Sequence, residues 1–450
     1  MRRAALLAAL AVFGSAAAAR AAPARAAVSI GPSQITVETA AGASALITRQ
    51  PFSVAFRDRA GRTTLREVAP GAPPQLVPPI PQLEFGTIGP PPPTLYAPLS
   101  FLVGGHSLTQ TPAGQWEGTL ASVTEFGLRY SATSLLAARP AGSGVSLSLA
   151  TDDPTGRRLT VVVRPDGAGA LRLSARPVPA TGVAGMSDSF ASPGGEAFRG
   201  FGGRHDGIDQ HGKDFVNWLE QENVGSGSAN GVTASASPGG EQYMFPNGPS
   251  AAYYVQSTFQ SSAGYGFLLD RTELSRWRLD SDRPDAWQTE VLAPGLDYVV
   301  APGAQSASLS QITALTGRQP VPPTWALGSQ FDREVKLNES ASAYAADVRS
   351  DLANIDHYRL PVDAYRIEGW QFLPRATLAH FIAELKRRRI HPLLYFRAFV
   401  GTDATGTDDP AQYGYAVGHG LVATRADGSP YTFISNFNAN AAQIDFTNPA

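Results

Sequence analysis

The sequence predicts a multidomain protein of β plus α/β class. It reads as an N-terminal β-sandwich over residues 28–310, followed by the first part of a (β/α)8 barrel over residues 311–450. Three observations predict this. Short alternating segments punctuated by glycine and proline fill the first part, the pattern of antiparallel sheets packed face to face. A proline-rich turn, Gly317-Arg318-Gln319-Pro320-Val321-Pro322-Pro323, then marks a change of composition. After it the chain alternates strand, helix, strand, helix, strand, which builds a parallel sheet.

Within the β part, 35–39 and 52–57 have strand-like alternation. Segments 159–163 and 171–175 flank a turn of Pro, Asp and Gly and read as a hairpin, and 266–270 with 274–279 read as another. The proline-dense stretch from Pro70 to Pro98 is expected as an ordered surface loop or edge, and Gly225 to Gly240 as a flexible loop. In the second part, 324–330 reads as a first buried strand. A helix with Tyr344, Val348, Leu352 and Ile355 on one face follows it. A second strand runs over 362–367. Pro374 opens a helix with the stripe Leu378, Phe381, Ile382 and Leu385, and a third strand covers 393–400. Three strands do not close a barrel, so the remainder is expected either in a longer chain or on a separate one.

Arg2 and Arg3 precede an apolar run from Ala4 to Phe13, and small residues between Ala16 and Ala27 offer cleavage positions. Residues 1–27 therefore read as a signal peptide, and the mature chain as secreted or held in the cell envelope. The run is shorter than the ~20 residues a membrane span needs. A net charge of −2 gives no electrostatic case for nucleic acid or an anionic membrane. Of 36 basic residues three are lysine (Lys213, Lys336, Lys386), and the other 33 are scattered arginines, a coding bias rather than a binding patch. Cysteine is absent, so the fold relies on its core.

Chemistry in a (β/α)8 architecture gathers at the C-terminal ends of the strands. Those places hold Gln330, Asp332 and Arg333, then Glu368 and Trp370, then Arg397. Carboxylates accept hydrogen bonds from neighbouring hydroxyls, and an indole face packs on sugar C–H groups, so the set suits a polyol. The same residues equally suit structural ion pairs, and spacing does not choose between the two. The glycines near 200 do not form a dinucleotide site, because His205 stands where glycine is needed and no βαβ unit surrounds them. His205 and His211 lack paired metal-ligand spacing. The serine–glycine stretch after Gly225 has no strand-to-helix elbow and no base, so a serine hydrolase is unsupported. No cofactor is expected.

Five stretches occur in one order: 200–225, 243–273, 316–330, LPVDAYRIEGW at 360–370 and DFTNP at 445–449. Together they resemble glycoside hydrolase family 31, the α-glucosidase and α-xylosidase clan. Residues 218–225, ending Glu-Gln-Glu-Asn-Val-Gly, are similar to the bacterial branch that includes sulfoquinovosidases. The resemblance implies a galactose-mutarotase-like sandwich, a carbohydrate partner and retaining hydrolysis of α-glycosides. It also implies two aspartates on barrel strands four and six, beyond Ala450, so no catalytic residue is assigned here. Retention implies carboxyl groups roughly 5–5.5 Å apart with unequal pKa values. Glu368 stands where relatives place an aspartate that grips the sugar, and Trp370 and Gln330 would line the same pocket. Gln221 or Glu222 resembles the family's contact to the neighbouring subsite. Asp363 matches the family's Pro-x-Asp and reads as structural. Three readings follow: the front part of a secreted α-glycosidase, inactive by itself; a non-catalytic carbohydrate-binding remnant; or one half of a split glycosidase.

Overall fold

Strands form where apolar residues recur with a period of two. The computed structural model describes residues 26–70, 74–83, 86–87, 94–110, 120–204, 207–217, 252–336, 339–396, 398–402, 410–433 and 441–449. Five strands between Ala27 and Arg66 make an antiparallel meander in sequence order. In Phe52–Arg57, Phe52, Val54 and Phe56 are buried and the residues between them half-buried, as one covered face requires.

Two further layers belong to one hydrogen-bonded path, joined by the 22-residue strand Leu120–Ala141. Up to Ser131 this strand pairs with Ser100–Gln110, and from Ala132 it pairs with Gly144–Thr151. One strand thus serves both sheets. Gly104 and Gly127 face each other across it, with φ of 159° and 137°, and a Cβ on Gly104 would stand 1.9 Å from the Phe126 carbonyl oxygen. Only glycine lets the two backbones approach so closely. Between the layers lies an aromatic core in which Phe190 stacks on Trp287 at 4.5 Å and Phe267 on Tyr298 at 5.0 Å.

The hairpin expected at 159–175 forms, as Arg158–Asp166 pairs antiparallel with Ala170–Val178. The one expected at 266–279 does not. Tyr265–Leu269 pairs with Ala252–Ser261 and Leu296–Pro302, whereas Ser275–Leu279 pairs with Lys213–Asn217 and Ala286–Val291 in the other layer. Phe267 and Trp277 then meet edge to face at 6.0 Å across the core, one from each layer. The proline-dense stretch contains the strand Gln75–Leu83, flanked on one side by Gly86–Thr87 alone. Its register slips between Val77 and Ile80, where Pro78 and Pro79 supply no N–H. A helix at Gln305–Thr316, within and just after the stretch read as all-β, packs Ile312 on Ala170, Val299 and Ala301. Its serine- and glutamine-rich sequence shows too little apolar periodicity to announce it.

The second core belongs to a parallel sheet of Gln330–Arg333, Ala364–Ile367 and His391–Leu394. Helices Ala341–Tyr358 and Arg375–Arg387 pack on it through Tyr344, Val348, Leu352, Ile355, Phe381 and Leu385, against Tyr365 and Ile367. Two strand boundaries differ from the sequence reading. Thr324–Leu327 is a single 3-10 turn, closed by Ala326 N donating to the Pro323 carbonyl at 2.9 Å, and the strand begins only at Gln330. Prolines 320, 322 and 323 bring no N–H to a ladder, and Gly328 abuts Asp363 so closely that a Cβ would lie 2.0 Å from Oδ2. The third strand ends at Leu394, and Phe399–Gly401 instead pairs antiparallel with Ala441–Gln443. The chain is mostly β, with four α-helices among the described residues. No described helix is long and apolar enough to cross a membrane.

One side chain ties helix to sheet. The buried Tyr344 hydroxyl donates to the Arg333 carbonyl at 2.7 Å and accepts from Gly369 N at 2.9 Å, bridging the ends of two neighbouring strands. Burial, the dominant influence, pushes that hydroxyl up to about 12. Tyr344→Phe leaves the buried Gly369 amide unpaired and takes from the Arg333 carbonyl one of its two donors, the Glu368 amide remaining, so urea unfolding is expected to show a loss of about 1–3 kcal/mol. Trp287→Ala opens the aromatic core and is expected to cost about 3–5 kcal/mol by the same measurement.

Candidate functional site

The parallel register fixes which residues share the C-terminal edge. Arg333, Ile367 and Leu394 lie at one level, and Glu368, Trp370, Tyr395 and Phe396 follow just beyond them. Alternation sorts the strand side chains. Tyr365 and Ile367 belong to the core under the helices, and Arg333 bonds Asp351 of helix Ala341–Tyr358. Asp332 and Arg366, adjacent in register, therefore stand on the other face, turned away from these two helices.

There they form a two-pronged ion pair, with Arg366 Nε 2.7 Å from Asp332 Oδ1 and the second guanidinium nitrogen on Oδ2. That contact holds the Arg366 pKa above its ordinary value. The Arg366 guanidinium also lies 5.4 Å from the Tyr395 ring centre. Trp370 Nε1 donates to the Tyr395 carbonyl at 2.6 Å, and its ring leans on Phe396 at 4.9 Å and 45°. Phe396 is 68% exposed, so this aromatic ledge is open to a ligand.

Glu368 is half-buried at the same edge. Its Oε2 accepts from Val335 N at 3.1 Å, which turns the longer side chain back toward the first strand and uses one of two carboxylate oxygens. Burial pushes the carboxyl up, and the negative charges of Glu334 and Asp332 add to this. The Val335 amide and Arg366 offset it in part. The edge thus offers one hydrogen-bonding carboxyl, one ion pair and an indole beside a phenyl ring, which can receive hydroxyl groups and an apolar ring face together.

The sequence-predicted residues fall out as follows. Glu368, Trp370 and Asp332 come together. Gln330 is the first residue of its strand, about 10 Å below Arg333 at the usual rise per residue, and its Nε2 donates to the Ala326 carbonyl at 3.0 Å. It belongs to the opposite end from the rim because the strand starts six residues later than expected. Arg333 is structural: its Nε donates to Asp351 at 2.7 Å, and Tyr365 donates to the same carboxylate at 2.6 Å. Asp363 accepts from Ser329 N at 3.1 Å at the strand start, in keeping with a structural role. Arg397, Gln221, Glu222, His205, the Gly225–Gly240 loop and residues 1–25 of the signal segment lie outside the described residues, while Ala27 opens the first strand. Arg366, Tyr395 and Phe396 were missed. The available signal was two aromatics directly after the third strand, obscured by running that strand on to Val400.

No family model matches the chain. Among curated proteins it is 27% identical over 203 residues to an α-glucosidase 2 of Bacillus thermoamyloliquefaciens, covering 42% of the chain and 24% of that protein. It is 22% identical over 196 residues to an isomaltosyltransferase of Sporosarcina globispora, covering 41% of the chain and 15% of that protein. Among solved structures, a GH31 family sulfoquinovosidase from E. rectale with an aza-sugar inhibitor aligns with a TM-score of 0.59 at 16% identity, over 80% of this chain and 53% of that one. A cycloalternan-forming enzyme from Listeria monocytogenes, in complex with a pentasaccharide, aligns at 0.55 and 15% identity, over 94% and 42%. The chain spans about a quarter or less of these curated relatives and about half of these solved structures. In fold the chain is similar to part of a glycoside hydrolase family 31 enzyme, and in sequence to part of an α-glucosidase and of an isomaltosyltransferase.

Proposed function

We propose that this chain supplies the sugar-gripping front portion of a secreted, retaining α-glycosidase. In this reading residues 1–27 are a signal peptide, 28–310 a galactose-mutarotase-like sandwich, and 311–450 the first three strands of a (β/α)8 barrel. The observation that carries it is the C-terminal edge of the sheet, where Glu368 lies beside the Asp332–Arg366 pair and Trp370 packs beside Phe396, since the sheet face turned away from the two helices becomes a barrel interior when further strands close it. The resemblance to carbohydrate-active enzymes supports the same reading.

The roles proposed are binding roles. Glu368, ionised, accepts from hydroxyls of the sugar through the oxygen that Val335 does not use. Trp370 and Phe396 receive the ring's C–H face. Arg366 and Asp332 hold each other in place and present polar edges to the substrate. Bond cleavage is assigned to a pair of aspartates outside these residues, one attacking the anomeric carbon and one protonating the leaving oxygen.

Ligand-detected NMR with a panel of methyl α-glycosides tests this. Trp370→Ala and Glu368→Gln are each expected to weaken binding about tenfold or more, with circular dichroism unchanged. Unaltered binding in both variants would exclude this edge as the site. Because the Glu368 pKa is raised, its acceptor form is lost on acidification at a higher pH than for an ordinary glutamate. Affinity is therefore expected to fall as pH drops through that raised value, and to become pH-insensitive over the same range in Glu368→Gln.

A further inference from the structure

A second group of acids lies inside the β part, where the meander meets the two further layers. On strand Val183–Ala191 the residues Met186, Asp188 and Phe190 alternate with Ser187 and Ser189. Met186 and Phe190 belong to the apolar core, so Asp188, fully buried, points into that core too. Leu99 N at 3.2 Å and Ser189 N at 2.9 Å donate to its Oδ1, and the Tyr298 hydroxyl donates to Oδ2 at 2.8 Å from the facing sheet. Its fourth neighbour is Glu67, which directly follows the last strand of the meander.

Glu67 is itself 4% exposed. Its Oε2 accepts from Val54 N at 2.5 Å, while its Oε1 is buried with no N–H or O–H of any other residue in reach. Around it Glu67 pairs with Phe190 as a β-bridge, and Val68 N donates to the Ser189 carbonyl at 3.0 Å. These backbone links carry the meander onto the strand that holds Asp188. The titratable groups facing the pair are each other and the Tyr298 phenol; the remaining contacts are backbone amides.

We infer that Glu67 and Asp188 share one proton, carried on Glu67 and donated to the Asp188 carboxylate, and that this proton latches the meander to the sandwich. The geometry assigns the roles. Asp188 receives three donors that stabilise its anion, whereas Glu67 has one, so the proton resides on Glu67. Losing it to solvent leaves two facing carboxylates in an apolar core, which two like charges at contact do not tolerate. Burial, followed by the Asp188 charge, holds the Glu67 carboxyl well above the usual range. The native state therefore keeps a proton that the unfolded chain gives up near pH ~4. Its stabilisation is complete below that pH and is lost as pH rises through the native value.

Urea unfolding from about pH 5 to about pH 8 tests this. In wild type the unfolding constant is expected to gain one proton's dependence, about tenfold per pH unit, relative to Glu67→Gln. The amide in that variant donates to Asp188 permanently. It is therefore expected to be the more stable form at about pH 8. Asp188→Asn aims an NH2 at existing donors and is expected to lose stability at both ends of the range. Parallel wild-type and Glu67→Gln profiles would overturn the latch. Hydrogen exchange on the unmutated chain, corrected for intrinsic rates, gives a second test. Val54 N–H and its meander neighbours are expected to lose protection with rising pH while Arg158–Asp166 keeps it, and uniform protection across both would also overturn the proposal.

Discussion

Burying the Asp188 carboxyl between two sheets is tolerable only because donors reach it from several directions, and the β part is arranged to deliver them. An unpaired buried carboxylate costs several kcal/mol at least. Here Leu99, Ser189 and Tyr298 bring donors from separate stretches of chain, and Glu67 arrives from the meander. Each donor fixes a register. Tyr298 must face inward from Leu296–Pro302, and the meander must end where Glu67 can bridge Phe190. The aromatic packing of Phe190, Trp287 and Phe267 then fills the space these registers leave.

The other face of the same strand solves the same problem with opposite charges. Ser187 bonds Ser100 and Arg129, and Arg129 lies between Glu125 and Glu290, with Arg278 closing on Glu290 at 3.1 Å. Burial raises the Glu290 pKa, but the two arginines outweigh it and bring it down to about 2. A central strand buried on both faces thus has buried acids beside each, Glu125 and Glu290 held by arginines on one and its own Asp188 held by neutral donors on the other.

The sandwich-forming alternation, the Arg158–Val178 hairpin and both amphipathic helices of the parallel unit were legible in the sequence, because each is a periodicity carried by local residues. What was not legible depends on partners distant in the chain. The 266–279 pair looks like a hairpin until Phe267 and Trp277 are seen to need opposite walls of one core. The 324–330 stretch looks like a strand until Gly328 and Asp363 pack together and the prolines close a turn. That shift moved Gln330 away from the rim, and the early end of the third strand brought Tyr395 and Phe396 to it. Glu368 and Trp370 could be placed at this edge from sequence because they follow a strand whose end, Ile367, the pattern marked correctly.

Sheet register, helix packing and the Tyr344 bridge converge on one outcome, a C-terminal edge that carries Glu368 and Trp370, with the Asp332–Arg366 pair on the face turned away from the two helices. The proposed reading gives that edge a sugar to hold, and the Val335 tie of Glu368 leaves one carboxylate oxygen to meet it. A crystal structure of the chain soaked with an α-glycoside tests the account most directly. It predicts a sugar ring packed on Trp370 with a hydroxyl in hydrogen-bond reach of Glu368. A sugar ordered only on the β-sandwich, with this edge empty at the same concentration, would contradict it.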